Sequence, residues 1–132
     1  MLGELIAQGS GKRTNRRILS TSPTTVEVSF ESRETILGVP ALEIGTYTSV
    51  IRPDGTLCGE GQGVFMTMEG EQITWKGSGV GTFREGGSVA YRGAICFQTA
   101  APRFAQLNKV AGAFEFDSDM EGNTQSKLWE WK

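Results

Sequence analysis

An acid and a cation, Glu60 and Arg92, fall in one row across neighbouring strands of this chain in the register set out below. On the inside of a fold such a pair would be a catalytic candidate. On the outside it is a weak cross-strand ion pair spanning Val80. Glu27 and Glu115 are further acidic candidates with nothing to single them out. There is no histidine, which removes the usual general base, the Ser–His and Cys–His nucleophile pairs and the commonest metal ligand. Two separated cysteines, Cys58 and Cys96, cannot build a closed zinc site without carboxylates. They are expected as reduced thiols. No metal and no cofactor is expected.

Three other groupings are weaker than they look. Asp117-Ser-Asp119-Met-Glu121-Gly122 begins like a calcium loop, but the twelfth position, which needs a carboxylate, is Leu128. An acidic hairpin turn is the better description. Gly9-Ser10-Gly11-Lys12 has the flavour of a phosphate loop, yet Arg13 stands where Ser or Thr is required and Ile6 where the first Gly should be. Lys12, Arg13, Arg16 and Arg17 form a basic cluster. A solvated edge explains it, since edge strands carry such charges against aggregation. Nucleic acid would ask for exposed aromatics or a wider basic field, and the net charge is −2. No nucleic-acid partner is expected.

The elements that must position these residues are strands. Thr24, Val26, Val28 and Phe30 share one face, with Thr25, Glu27, Ser29 and Glu31 on the other, the period-2 sign of a half-buried strand. Leu42 to Ile51 is rich in β-formers and ends at the turn Pro53-Asp54-Gly55. Strands follow over about 56–68, 72–84, 88–99, 110–117 and 123–131, and the stretch from Glu4 to Leu19 supplies one or two more. Ala101–Lys109 lacks alternation; Phe104 and Leu107 lie three apart, so a single helical turn there would cover a barrel end. The expected fold is all-β, one antiparallel barrel of about eight strands forming a single domain over 1–132.

Glycine sets the shape. Gly59-Glu-Gly61-Gln-Gly63-Val-Phe65 repeats as Gly77-Ser-Gly79-Val-Gly81-Thr-Phe83, and in a strand the four repeated positions point the same way. A loop at Glu69-Gly70-Glu71 sets Phe65 against Trp75, Gly63 against Gly77 and Gly61 against Gly79. A loop at Glu85-Gly86-Gly87 sets Phe83 against Val89, Gly81 against Tyr91, Gly79 against Gly93 and Trp75 against Phe97. Both keep glycines and aromatics on one face, taken as the interior, where repeated glycine permits sharp curvature. The outer face then carries Glu60, Gln62, Lys76, Arg84 and Arg92 with Val64, Val80, Ala94 and Cys96 among them.

This short Gly-punctuated pattern, Gly77-Ser-Gly-Val-Gly-Thr-Phe83 followed by Arg92-Gly-Ala-Ile-Cys-Phe-Gln-Thr99, resembles the allene oxide cyclase barrel-like superfamily, and its small prokaryotic members more than the plant enzymes. The likeness runs from about Leu5 to Trp131. It implies a compact eight-stranded barrel, frequently oligomeric. The plant enzymes cyclise an unstable fatty-acid epoxide inside the barrel without a cofactor. Their acidic and water-holding residues match no positions here, so none is carried over.

Three functions follow in order. The first is a module binding a small apolar ligand in the barrel, lined by Tyr47, Phe65, Trp75, Tyr91, Phe97 and Trp129. The second is a cofactor-free isomerase or cyclase, which needs a carboxylate inside the barrel beside a polar partner. The third is an assembly protein acting through the outer strip of Val64, Val80, Ala94 and Cys96, so a homo-oligomer is expected. Trp129 and Trp131 share one face of the last strand, either closing the barrel or, if exposed, anchoring an interface. Met1–Ala7 contains Glu4 and no long apolar run, so neither a signal peptide nor a membrane helix is expected, and the cytoplasm is the expected compartment.

Overall fold

Alternation in the second strand runs past Glu31, through Ser32, Glu34 and Ile36, and each of these three is buried. The computed structural model describes Met1–Lys132. Its strands are β1 (Leu2–Thr21), β2 (Thr24–Ile36), β3 (Val39–Ile51), β4 (Leu57–Thr67), β5 (Gln72–Phe83), β6 (Val89–Thr99), β7 (Ala111–Ser118) and β8 (Asn123–Trp131). Each pairs antiparallel with the next, and β8 pairs with β1 to close the barrel. Closure removes the free edges that an open sheet of this length would leave. The N-terminal stretch is one long strand, bulged between Arg13 and Asn15 and between Ile18 and Ser20. β2 and β3 meet in a two-residue turn, Leu37-Gly38, with positive φ at both positions (47° and 79°). Mirror-image turns of that kind match the twist of a hairpin.

The β5–β6 register is as expected: Phe83 lies opposite Val89, Gly79 opposite Gly93 and Trp75 opposite Phe97. The β4–β5 register is not. Phe65 lies opposite Ile73, Gly63 opposite Trp75 and Gly61 opposite Gly77. The loop is Met68–Gly70, and Glu71 already belongs to the hairpin stem: Thr67 N–H donates to the Glu71 carbonyl, and the Thr67 hydroxyl donates to its carboxylate. A two-residue displacement preserves the faces, so the glycines still point inward. It does break the expected row, since Glu60 lies opposite Ser78 while Val80 lies between Cys58 and Arg92.

Rings from neighbouring strands lie against the inward glycines. A Cβ at Gly63 or Gly45 would strike the Trp75 indole, one at Gly81 the Tyr91 ring and one at Gly79 the Phe114 ring. At Gly93 a Cβ would fall 2.1 Å from the Ser78 carbonyl oxygen and 2.9 Å from the Phe114 ring. Backbone cannot step aside as a flexible side chain can. Gly93→Ala is therefore expected to destabilise the barrel by about 3 kcal/mol, read as a lower urea midpoint with an unchanged slope. A loss under about 0.5 kcal/mol would show that the wall has room.

One end of the barrel is plugged. The 3₁₀ segment Pro102–Lys109 lowers Phe104 and Leu107 onto Ile6, Ile36, Phe65, Ile73, Phe97 and Leu128. Asn108 ties it to the end of β6 by hydrogen bonds to both backbone groups of Thr99. Toward the other end Phe30, Tyr47, Tyr91 and Phe116 pack ring against ring, with centroids 4.9–6.4 Å apart. No helix is long and apolar enough to cross a membrane.

Candidate binding cavity

Between plug and aromatic layer, β2 and β3 place two carboxylates on the inner wall. Glu34 lies opposite Gly9 of β1, and Gly9 in turn lies opposite Ser126 of β8. A Cβ at Gly9 would sit 2.3 Å from Glu34 Oε2, so the missing side chain is what lets this carboxylate lie across the strand. It reaches Ser126, whose hydroxyl donates to both of its oxygens at 3.2 Å. Glu43 lies opposite Ser32, which donates to Oε1 at 3.0 Å. Glu34 and Glu43 are diagonal neighbours on one face, since Glu34 itself opposes Ala41. The Trp75 indole N–H faces Glu43. It is buried and has no partner within hydrogen-bonding distance.

Neither carboxylate has a cation to pair with. Both are only 5% exposed. Burial penalises the charged form, and with the neighbouring Glu34 charge it pushes the Glu43 carboxyl up to about 8. Burial raises Glu34 to about 6, against the pull of the Ser32 and Ser126 hydroxyls. The two titrate as a coupled pair, which at neutral pH carries about one proton and one negative charge. On the mouth side, burial and the nearby Tyr91 raise the Tyr47 phenol, while Arg13 and Arg16 pull it down. Burial also raises the Tyr91 phenol, against its hydrogen bond with Ser49.

The carboxylates and Ser126 line a cavity of about 90 Å³ together with the rings of Phe30, Tyr47, Phe65, Trp75, Tyr91 and Phe116; Glu60, Ser78, Glu115 and Lys127 also border it. That is room for roughly six waters or one small organic molecule.

Of the aromatic residues expected to line the barrel, Tyr47, Phe65, Trp75 and Tyr91 reach this cavity. Phe97 points inward but belongs to the plugged core. Trp129 does not line the barrel. Leu128 and Ser126 take the inner positions of β8, leaving Trp129 on the outer face opposite Leu5 and Ala113. Glu60 is exposed on the outside. Arg92 pairs there with Asp117 at 2.9 Å and Glu115 at 3.8 Å, and Glu27 pairs with Arg17 at 3.1 Å. These partly exposed pairs contribute little. Asp119 closes the β7–β8 turn by accepting from the Glu121 and Asn123 backbones. The basic cluster divides: Arg13 and Arg16 share register with the inward-facing Phe30 and Val28 at the mouth, while Lys12 opposes Glu31 and Arg17 opposes Glu27 on the outside. Cys58 and Cys96 are unpaired and exposed.

Glu34 and Glu43 are absent from the candidates read from sequence. Their signal was present: stepping by two from Phe30 reaches Ser32, Glu34 and Ile36, and stepping back by two from Tyr47 reaches Gly45 and Glu43. A charge on an otherwise apolar face does not read as buried when its partners lie elsewhere in the chain, so neither stands out as a site residue.

No family model and no curated protein matches the chain. Solved structures do. A protein of unknown function from Clostridium acetobutylicum superposes with a TM-score of 0.83 at 12% identity, over 98% of both chains. A β-barrel-like protein from Acinetobacter baumannii gives 0.82 at 12% identity, over 100% of this chain and 96% of that one. An enzyme from Penicillium herquei gives 0.66 at 16% identity, over 96% and 92%. They share its fold. At these identities the likeness extends to the barrel and no further.

Proposed function

We propose that the barrel interior binds one small, mostly apolar, uncharged molecule whose polar group meets Glu34 and Glu43. One observation carries this: a cavity walled by aromatic rings into which two buried carboxylates on neighbouring strands face. Apolar walls supply affinity and a few placed polar groups supply orientation. The cavity is too small for a long-chain fatty acid, and the negative charge of the pair opposes any anion placed beside it.

Trp75 reports on occupancy, because its ring lines the cavity while Trp129 and Trp131 do not. In a protein carrying Trp129→Phe and Trp131→Phe, 3-cyclohexen-1-one is expected to change the remaining fluorescence saturably. Benzoate of similar size is expected to leave it unchanged. A flat titration with the neutral ketone overturns the proposal.

The cytoplasm is proposed as the compartment on separate grounds. Two exposed, unpaired thiols suit a reducing environment.

A further inference from the structure

We propose that Glu34 and Glu43 work together as general base and general acid, so that the cavity moves a proton between two carbons of a neutral carbonyl compound without a cofactor. This rests on the binding proposed above and adds a reaction to it.

The geometry has three parts. First, the two carboxylates stand on adjacent strands, on the same inner face, and line one cavity. Second, each has a hydroxyl donor from the wall, Ser126 for Glu34 and Ser32 for Glu43, and neither has a counter-cation. An ion pair would have locked both in the charged form and left no proton to give. Third, other groups that ionise or carry charge keep to the mouth. They are Tyr47 on β3, Tyr91 on β6, and Arg13 and Arg16 on β1, whose charges act on Tyr47; Glu60 on β4 also borders the cavity, but it is exposed on the outer side of its strand. Lys127 and Glu115 contribute only wall, being directly opposed on β8 and β7 with Ser126 and Phe116 turned inward beside them. A purely structural role explains this poorly. Two buried carboxylates without cations cost stability that an apolar pair on the same wall would not.

The step balances within the site. Ionised Glu34 removes a proton from the carbon next to the substrate carbonyl, and that C–H electron pair becomes the enol double bond. Neutral Glu43 gives its proton to the carbonyl oxygen. The enol then collapses: its hydroxyl proton returns to Glu43, and Glu34 delivers its proton to the carbon two positions further along. The double bond has moved, nothing is oxidised or reduced, and both carboxyls end as they began. Groups whose environments separate their proton affinities are the ones suited to this division of labour. The aromatic walls limit competing water.

3-Cyclohexen-1-one serves as the probe, its conversion to the conjugated ketone followed by ultraviolet absorbance and, in D₂O, by deuterium uptake in the NMR spectrum. At equal occupancy of the cavity, the protein is expected to exceed Glu34→Gln by at least about a hundredfold. Glu43→Gln is expected to slow the reaction when the two proteins are compared at equal occupancy. The rate should fall on the acid side as Glu34 takes up its proton near 6, and on the alkaline side as Glu43 loses its own near 8. If the probe occupies the cavity but Glu34→Gln converts it as fast, the inference is overturned and binding stands. If Trp75 shows no occupancy, the binding proposal fails and takes this one with it. Should Glu34→Gln not fold, the intact protein is compared with acetate at equal carboxylate concentration, and no excess rate overturns the inference.

Discussion

Between pH 4.5 and pH 8 the barrel is expected to lose about 5 kcal/mol of folding stability through Glu43 alone. The folded state holds this proton up to about 8, whereas the unfolded chain releases it at the ordinary value of 4.5. Below 4.5 both states are protonated and nothing is lost. As pH rises from there, the unfolded state gives up its proton first and is favoured increasingly, until near 8 the folded state gives up its own. Glu34 acts in the same direction over a narrower window that closes near 6. Asp54, Glu71 and Asp119 act in the opposite sense, because hydrogen bonds hold them below their usual range. Their ordinary range already lies at the acid end, so they matter only there. Urea midpoints at pH 5, 7 and 8.5 measure the slope. Glu43→Gln should flatten the curve, since an amide stays neutral and its oxygen can still accept from Ser32. At pH 8.5 the variant is expected to be the more stable protein. A wild-type curve that is level from pH 5 to 8.5 would mean that Glu43 is hydrated, and both functional proposals would lose their footing.

Phe104→Ala is expected to cost about 4 kcal/mol. The ring is 1% exposed and, with Leu107, forms the underside of the plug. A 3₁₀ segment this short has no independent stability. What holds Pro102–Lys109 in place is that buried face, the Asn108 bonds to Thr99, and Arg103 bridging Glu69 and Glu71 while lying 5.0 Å from the Phe104 ring centroid. Removing the ring takes out the largest contact and leaves the exposed ion pairs, which are weak alone. The loss should appear in the urea midpoint, with faster backbone amide exchange in 99–110 than around the Tyr47–Tyr91 layer. A cost below about 1 kcal/mol would show that the segment does not close the barrel.

Much of this architecture is legible in the order of residues. Val28 and Phe30 alternating with Glu27 and Ser29 mark an inner and an outer face, and alternation depends only on the geometry of a single strand. The glycines of β4, β5 and β6 keep their side even though the β4–β5 register differs by two residues, because a shift by an even number leaves faces unchanged. Phe104 and Leu107, three apart in a segment without alternation, mark the plug for the same local reason. Trp129 shows the limit of local pattern. Its strand alternates cleanly, but which set turns inward depends on pairing with β1 and β7, where Leu128 and Ser126 occupy the inner positions.

The carboxylate pair lies beyond that limit. Composition and spacing determined a closed sheet with small residues inside and no histidine to place there. They put Glu34 and Glu43 in step with the inner face but did not show what would make their burial tolerable, since a charge on an apolar face is favourable only when distant chain supplies its partners. Those partners come from pairing β2 with β3, which sets Ser32 against Glu43, and from closing β8 onto β1, which brings Ser126 across the gap at Gly9 from a position 92 residues away. Only tertiary structure decides such contacts, because strand faces follow from the nearest neighbours along the chain while a shared proton depends on which strands meet.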